Sequence, residues 1–158
     1  MKGEWKVSVR NRRNTYTFTF RRNITVLTGN SGTGKTTLYD MVREYAAFGK
    51  ASGVTVSASC PLIALDGPNW EAELEKTEDA IVVVDEGSGF LRTAAFARAV
   101  RDSGNYFLLI TREYLHQLPY SVTEIYQIVG SKNKRFEPVY SDIYRMYDHP
   151  RQTSTDAE

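Results

Sequence analysis

Eight consecutive residues constrain this chain more than any other stretch: Gly29-Asn30-Ser31-Gly32-Thr33-Gly34-Lys35-Thr36 fits G-x-x-x-x-G-K-[ST] without a gap. The pattern has a physical purpose. Glycines let a backbone wrap an anion with its N–H groups, a lysine adds charge toward the β- and γ-phosphates, and the Thr36 hydroxyl is placed to ligate Mg²⁺. A helix starting here, with Thr37 in its first turn, aims its positive end at the same phosphates. The flanks agree. Residues 24–28 are a β-branched apolar run that ends where the glycines begin, and residues 36–48 place Leu38, Met41, Val42 and Tyr45 at helical spacing before Gly49. Strand, glycine loop and helix in that order imply a nucleotide-binding α/β chain.

A length of 158 residues suits one domain with a real core, expected over residues 1–147 and followed by a polar, flexible tail at 148–158. No apolar run approaches the ~20 residues a membrane span needs, and the N-terminus lacks an apolar signal core, so a cytoplasmic location is expected. A net charge of +1 does not favour a nucleic-acid or membrane partner. The single cysteine, Cys60, cannot form an internal disulfide and reads as a buried small hydrophobe.

Two period-2 runs, Trp5–Arg10 and Thr15–Phe20, flank a polar turn and predict an antiparallel hairpin. Its inward face carries Trp5, Val7 and Val9 against Tyr16, Phe18 and Phe20. Beyond the first helix the pattern predicts a strand at 54–58, a connection at 61–68 and a polar helix at 69–78. A buried strand follows at 81–84, then a helix at 91–101 with Leu91, Ala94, Ala95 and Phe96 inward. Strands at 105–110 and 121–129, a basic turn at 131–135 and a returning strand at 136–140 complete the reading. Alternation of strands and helices implies an α/β three-layer sandwich with a mainly parallel sheet and the N-terminal antiparallel β-hairpin.

A second motif lies at Ile81-Val82-Val83-Val84-Asp85-Glu86, two carboxylates at the C-terminal end of a buried strand. Ligands bind at that end of open α/β sheets. Asp85 suits Mg²⁺ opposite Thr36. Glu86 suits orienting and deprotonating a water that attacks the γ-phosphate. A solvated acidic turn would look the same in isolation, but beside the glycine loop the functional reading prevails.

The two motifs together resemble P-loop NTPases of the additional-strand, catalytic-glutamate division, which includes ABC-type and AAA-type ATPases. Residues 29–36 are similar to its Walker A motif and residues 81–86 to its Walker B with adjacent glutamate. The hairpin resembles the antiparallel subdomain that precedes Walker A in ABC-type proteins. Residues 105–112 resemble the sensor strand, and by that resemblance Thr111 is the sensor candidate. The family implies ATP and Mg²⁺ as cofactors, with Lys35, Glu86 and Thr111 catalytic. The chain also departs from its relatives: it has no Leu-Ser-Gly-Gly-Gln signature and no helical lid, and Arg112 stands where ABC-type proteins carry a switch histidine. Arg112 either stabilises phosphate charge in cis or pairs with an acidic neighbour such as Glu113.

The first 23 residues hold seven basic residues against Glu4 alone, so Arg12, Arg13, Arg21 and Arg22 could contact nucleic-acid phosphates. Edge charges that block aggregation explain the same residues. Lys132-Asn133-Lys134-Arg135 is a second basic turn with the same two readings. Tyrosines gather in the last third, where a partner surface is possible in principle. Three functions follow. One is an ATPase that passes its nucleotide state to a protein partner or a second copy. The others are a small P-loop kinase and a nucleotide-gated binding module with little hydrolysis. No Asn-Lys-x-Asp guanine-reading motif occurs, so ATP is the default nucleotide.

Overall fold

A computed structural model describes residues 3–29 and 34–140. The expectations for residues 30–33 and for residues 141–158 lie outside the described residues.

Strands β1 (Trp5–Arg10) and β2 (Thr15–Phe20) pair antiparallel, with Trp5 opposite Phe20, Val7 opposite Phe18 and Val9 opposite Tyr16. Asn11 closes their turn, its side-chain oxygen accepting from the N–H groups of Arg13 at 2.9 Å and Asn14 at 2.8 Å. Strand β3 (Ile24–Leu27) is buried along its whole length and leads toward the glycine-rich stretch. Helix α1 (Lys35–Phe48) then turns its Leu38, Met41 and Val42 inward.

The remaining elements in chain order are β4 (Thr55–Ser57), β5 (Leu62–Ala64), α2 (Trp70–Glu75), β6 (Ile81–Val84), α3 (Ala94–Asp102), β7 (Tyr106–Ile110), β8 (Ile125–Val129) and β9 (Asn133–Pro138). Nine strands form one sheet in the order β4-β1-β2-β9-β8-β3-β7-β6-β5. The sheet is mixed. From β8 to β5 every pairing is parallel, and β2 pairs parallel with β9, whereas β1 with β2, β1 with β4 and β8 with β9 are antiparallel. The hairpin is therefore not an appendage: β9 splices it into the main sheet.

Both faces of the central strands are covered. Along β6, Ile81 and Val83 face the core under α1, while Val82 and Val84 face the core under α2 and α3. Strand β7 alternates likewise, with Tyr106, Leu108 and Ile110 on the α1 side and Phe107 and Leu109 on the other. Burial on two faces is why these strands read as unbroken apolar runs.

Three local expectations are corrected. The connection at 61–68 contains β5, a strand of three residues whose pairing, Leu62 opposite Ile81, supplies what so short a run cannot signal alone. The helix expected at 91–101 is split. A 3₁₀ turn at Gly89–Arg92 ends at Thr93, whose side chain caps α3 by accepting the Phe96 N–H at 3.1 Å. That cap resets the phase, so Leu91, Phe96, Ala97 and Val100 are buried while Ala94 is exposed and Ala95 half-buried. The strand expected at 121–129 likewise opens with a 3₁₀ turn at Val122–Glu124.

Candidate functional site

Parallel pairing brings the C-terminal ends of β3, β7 and β6 to one edge of the sheet, in that order. The chain that leaves β3 becomes the glycine loop. Thr111 and Arg112 follow β7, and Asp85 and Glu86 follow β6. The two motifs, separated by 45 residues or more in sequence, thus share one edge.

Gly34 is the N-cap of α1 and holds φ at +100°, a backbone conformation that suits glycine. Lys35 opens the helix and is only 7% exposed, with Nζ donating to the Gly29 carbonyl at 2.7 Å. Burial pushes the Lys35 pKa down, opposed by the charges of Glu86 and Asp85 and reinforced by that of Arg112. These four groups therefore occupy one electrostatic neighbourhood. Thr36 and Thr37 are exposed in the first turn of α1, which leaves their hydroxyls and N–H groups open to a ligand.

Asp85 and Glu86 are each half-buried. Burial raises the Asp85 pKa, and backbone N–H groups of Gly87 and Glu86 oppose the shift. A carboxylate in that condition gains from a nearby cation. Among the described residues no group of three or more His, Cys, Asp or Glu could hold a metal. Magnesium at this edge would need oxygens of the nucleotide in addition to Thr36 and Asp85, which fits an ion that arrives with its substrate.

The Arg112 Nε lies 3.7 Å from Glu86 Oε2. The alternative pairing of Arg112 with Glu113 is not found. Arg92 takes Glu113 instead, Nε donating to Oε1 at 2.7 Å and Nη2 to Oε2 at 3.3 Å, and this fork lowers the Glu113 pKa. The backbone bends at Arg112 and Glu113, and the two side chains take different partners. The Arg92 Nη1 also reaches to 3.5 Å from the Glu86 carbonyl oxygen. Thr111 is 1% exposed, its N–H bonded to the Leu27 carbonyl at 3.0 Å and its hydroxyl accepting from the Glu113 N–H at 3.0 Å.

Residues that the sequence did not assign to this site also meet here. Arg92 is one. Tyr16, which the alternation places as a packing residue, donates its hydroxyl to the Gly34 carbonyl at 2.9 Å. Lys134, one member of an ambiguous basic turn, covers the Tyr16 ring with Nζ 5.6 Å from the ring centroid. A strand-order argument could have found both, because only the β2 to β9 pairing brings them to Gly34.

The four hairpin arginines divide into two pairs. Arg21 pairs with Glu4 at 3.4 Å and donates to the Tyr126 hydroxyl at 3.3 Å, and Arg22 lies 3.9 Å from Glu124. Arg12 and Arg13 are exposed at the hairpin tip. Among the described residues no helix is long and apolar enough to cross a membrane. No curated protein and no solved structure matches the chain. A model of the AAA domain matches residues 8–137, most of the chain, and the chain belongs to that family.

Proposed function

We propose that this protein binds Mg·ATP at residues 29–37 and at the ends of β6 and β7, hydrolyses it, and passes the change of nucleotide state to a partner. Family membership supports a nucleotide-binding, ATPase-like function in general. The sheet order supports the finer assignment to the additional-strand, catalytic-glutamate division, since β7 lies between the two motif strands β3 and β6. The observation that carries hydrolysis is the position of Glu86. It directly follows the metal-binding candidate just past the buried strand β6 and acts electrostatically on Lys35.

In this reading Lys35 exchanges the Gly29 carbonyl for the β- and γ-phosphates, and the loop and helix N–H groups hold the remaining oxygens. Thr36 and Asp85 would hold Mg²⁺, which supplies charge neutralisation of the phosphates when bound. Glu86 takes a proton from the attacking water. Arg112, whose Nε lies 3.7 Å from Glu86 Oε2, is within reach to turn toward phosphate charge once a ligand competes for it. Thr111, bonded through its N–H to Leu27 at the end of β3, would set the distance between the sensor strand and the strand that leads into the loop.

The test is steady-state phosphate release from Mg·ATP by the intact protein, Glu86→Gln and Lys35→Ala. Glu86→Gln is expected to retain ATP binding and to lose on the order of 10²-fold or more in kcat. Lys35→Ala is expected to lose binding. Hydrolysis undiminished in Glu86→Gln would refute the assignment of the base.

A further inference from the structure

Two basic turns that are far apart in sequence meet on the side of β3 opposite the carboxylates. Strand β2 pairs parallel with β9, Thr15 opposite Asn133 and Tyr16 opposite Lys134, and the Thr15 N–H donates to the Lys132 carbonyl at 2.9 Å. This pairing sets the tip of the first hairpin beside the turn between β8 and β9.

Lys134 extends from there to the mouth of α1. A Cβ placed on Gly34 would lie 3.3 Å from Lys134 Cε and 3.0 Å from the Tyr16 hydroxyl oxygen, so side chain and loop are already in contact. The Lys134 Nζ donates to Asn14 Oδ1 at 2.5 Å and to the Ser131 carbonyl, over the face of the Tyr16 ring. All of these partners are neutral. Among the described residues no carboxylate pairs with Lys134. The N-terminal end of the 14-residue α1, capped by Gly34, lies beside it. A cationic side chain and the positive end of a helix therefore meet at Gly34, an arrangement that favours an anion.

Sheet order decides which part of the anion Lys134 meets. Strands β7 and β6, with Arg112, Asp85 and Glu86, flank β3 on one side, and β8, β9 and β2 lie on the other. A polyphosphate lying along the loop with its reactive end at Glu86 turns its opposite end to Lys134. We propose that Lys134 is a nucleotide-binding residue that holds the α-phosphate end of the bound nucleoside polyphosphate. The inference rests on the reading of residues 29–37 as a nucleotide site. It adds a contact, supplied by the last strand, that carries affinity and takes no part in phosphate cleavage.

The experiment is titration of the full chain with Mg·ATP and with ADP, for the intact protein, Lys134→Gln, Lys134→Arg and Lys35→Ala, with KM and kcat measured alongside. Lys134→Gln is expected to weaken ATP and ADP by the same factor, about tenfold or more, with the loss in KM rather than kcat. Lys134→Arg keeps the cation and is expected to stay within about threefold of the intact protein. Asn14→Asp is a second route that leaves the lysine in place: a carboxylate on Nζ neutralises it and is expected to weaken both nucleotides. Unchanged affinities in Lys134→Gln and Asn14→Asp, beside lost binding in Lys35→Ala, would overturn the inference and leave the site intact. A loss confined to ATP would also overturn it, because it would place Lys134 at the γ-phosphate. Failure of the intact protein to bind either nucleotide would overturn the reading of the site and this inference with it.

Discussion

At the residue scale the site is built from charges held under cost. Asp85 is the clearest case, because burial raises its pKa. A carboxylate raised in the folded state is penalised when ionised, so the penalty is fully present above its folded pKa and vanishes below its unfolded value. Asp85→Asn is therefore expected to raise the melting temperature near pH 7, and the gain should shrink as pH falls through the carboxylate range. Magnesium with nucleotide should stabilise the intact protein and leave Asp85→Asn much less affected. A melting series across pH, with and without Mg·ATP, checks both statements. Lys35, Asp85 and Glu86, which the structure gathers at one edge, were legible in the sequence as candidates. Partners were not. That Arg112 faces Glu86 while Glu113 is forked by Arg92 depends on which way consecutive side chains point, which the pattern does not carry.

At the element scale the longer runs were readable, and the short or capped ones were not. The hairpin follows from its period-2 alternation, and the buried strands β6 and β7 from their unbroken apolar runs. Strand β5 is three residues long and owes its existence to β6. Helix α3 was shifted in phase by the Thr93 cap, which interrupts an otherwise helical pattern. Strand β9 matters most for the site, and the turn that launches it depends on Gly130. That glycine has φ +103°, and a Cβ there would fall 2.2 Å from the Asn133 carbonyl oxygen. Gly130→Ala is expected to cost on the order of 3 kcal/mol and to weaken nucleotide binding by displacing Lys134. At Gly53, φ +80° with nothing within 4 Å of a Cβ, alanine should cost less. Thermal unfolding and an ATP titration of the two variants separate the effects.

At the scale of the whole molecule, two cores share one sheet. The chain's two tryptophans report on them separately, since Trp70 lies in the core under α2 and α3 and Trp5 packs against the core under α1. If residues 3–140 unfold as a unit, single-tryptophan variants Trp5→Phe and Trp70→Phe should give fluorescence transitions with the same midpoint. Phe96→Ala, which empties a fully buried position between Trp70 and Phe107, should lower both midpoints together, by about 3–5 kcal/mol of stability. Separate midpoints would show that the faces melt independently. The alternation of strands and helices announces the α/β class. It does not announce that β9 joins β2 to β8, a pairing between residues more than 110 positions apart.

The same connectivity governs how the molecule is made. Strand β3, which launches the glycine loop, has β7 and β8 as its neighbours, and both are synthesised long after it. A nascent chain carries the whole phosphate motif when α1 has emerged, yet the two strands that flank it are still missing until Val129 has left the ribosome. Nucleotide cannot template the early stages of folding, because contacts of such long range close late. The loop is translated before both strands that flank it and becomes a site only once they have joined β3.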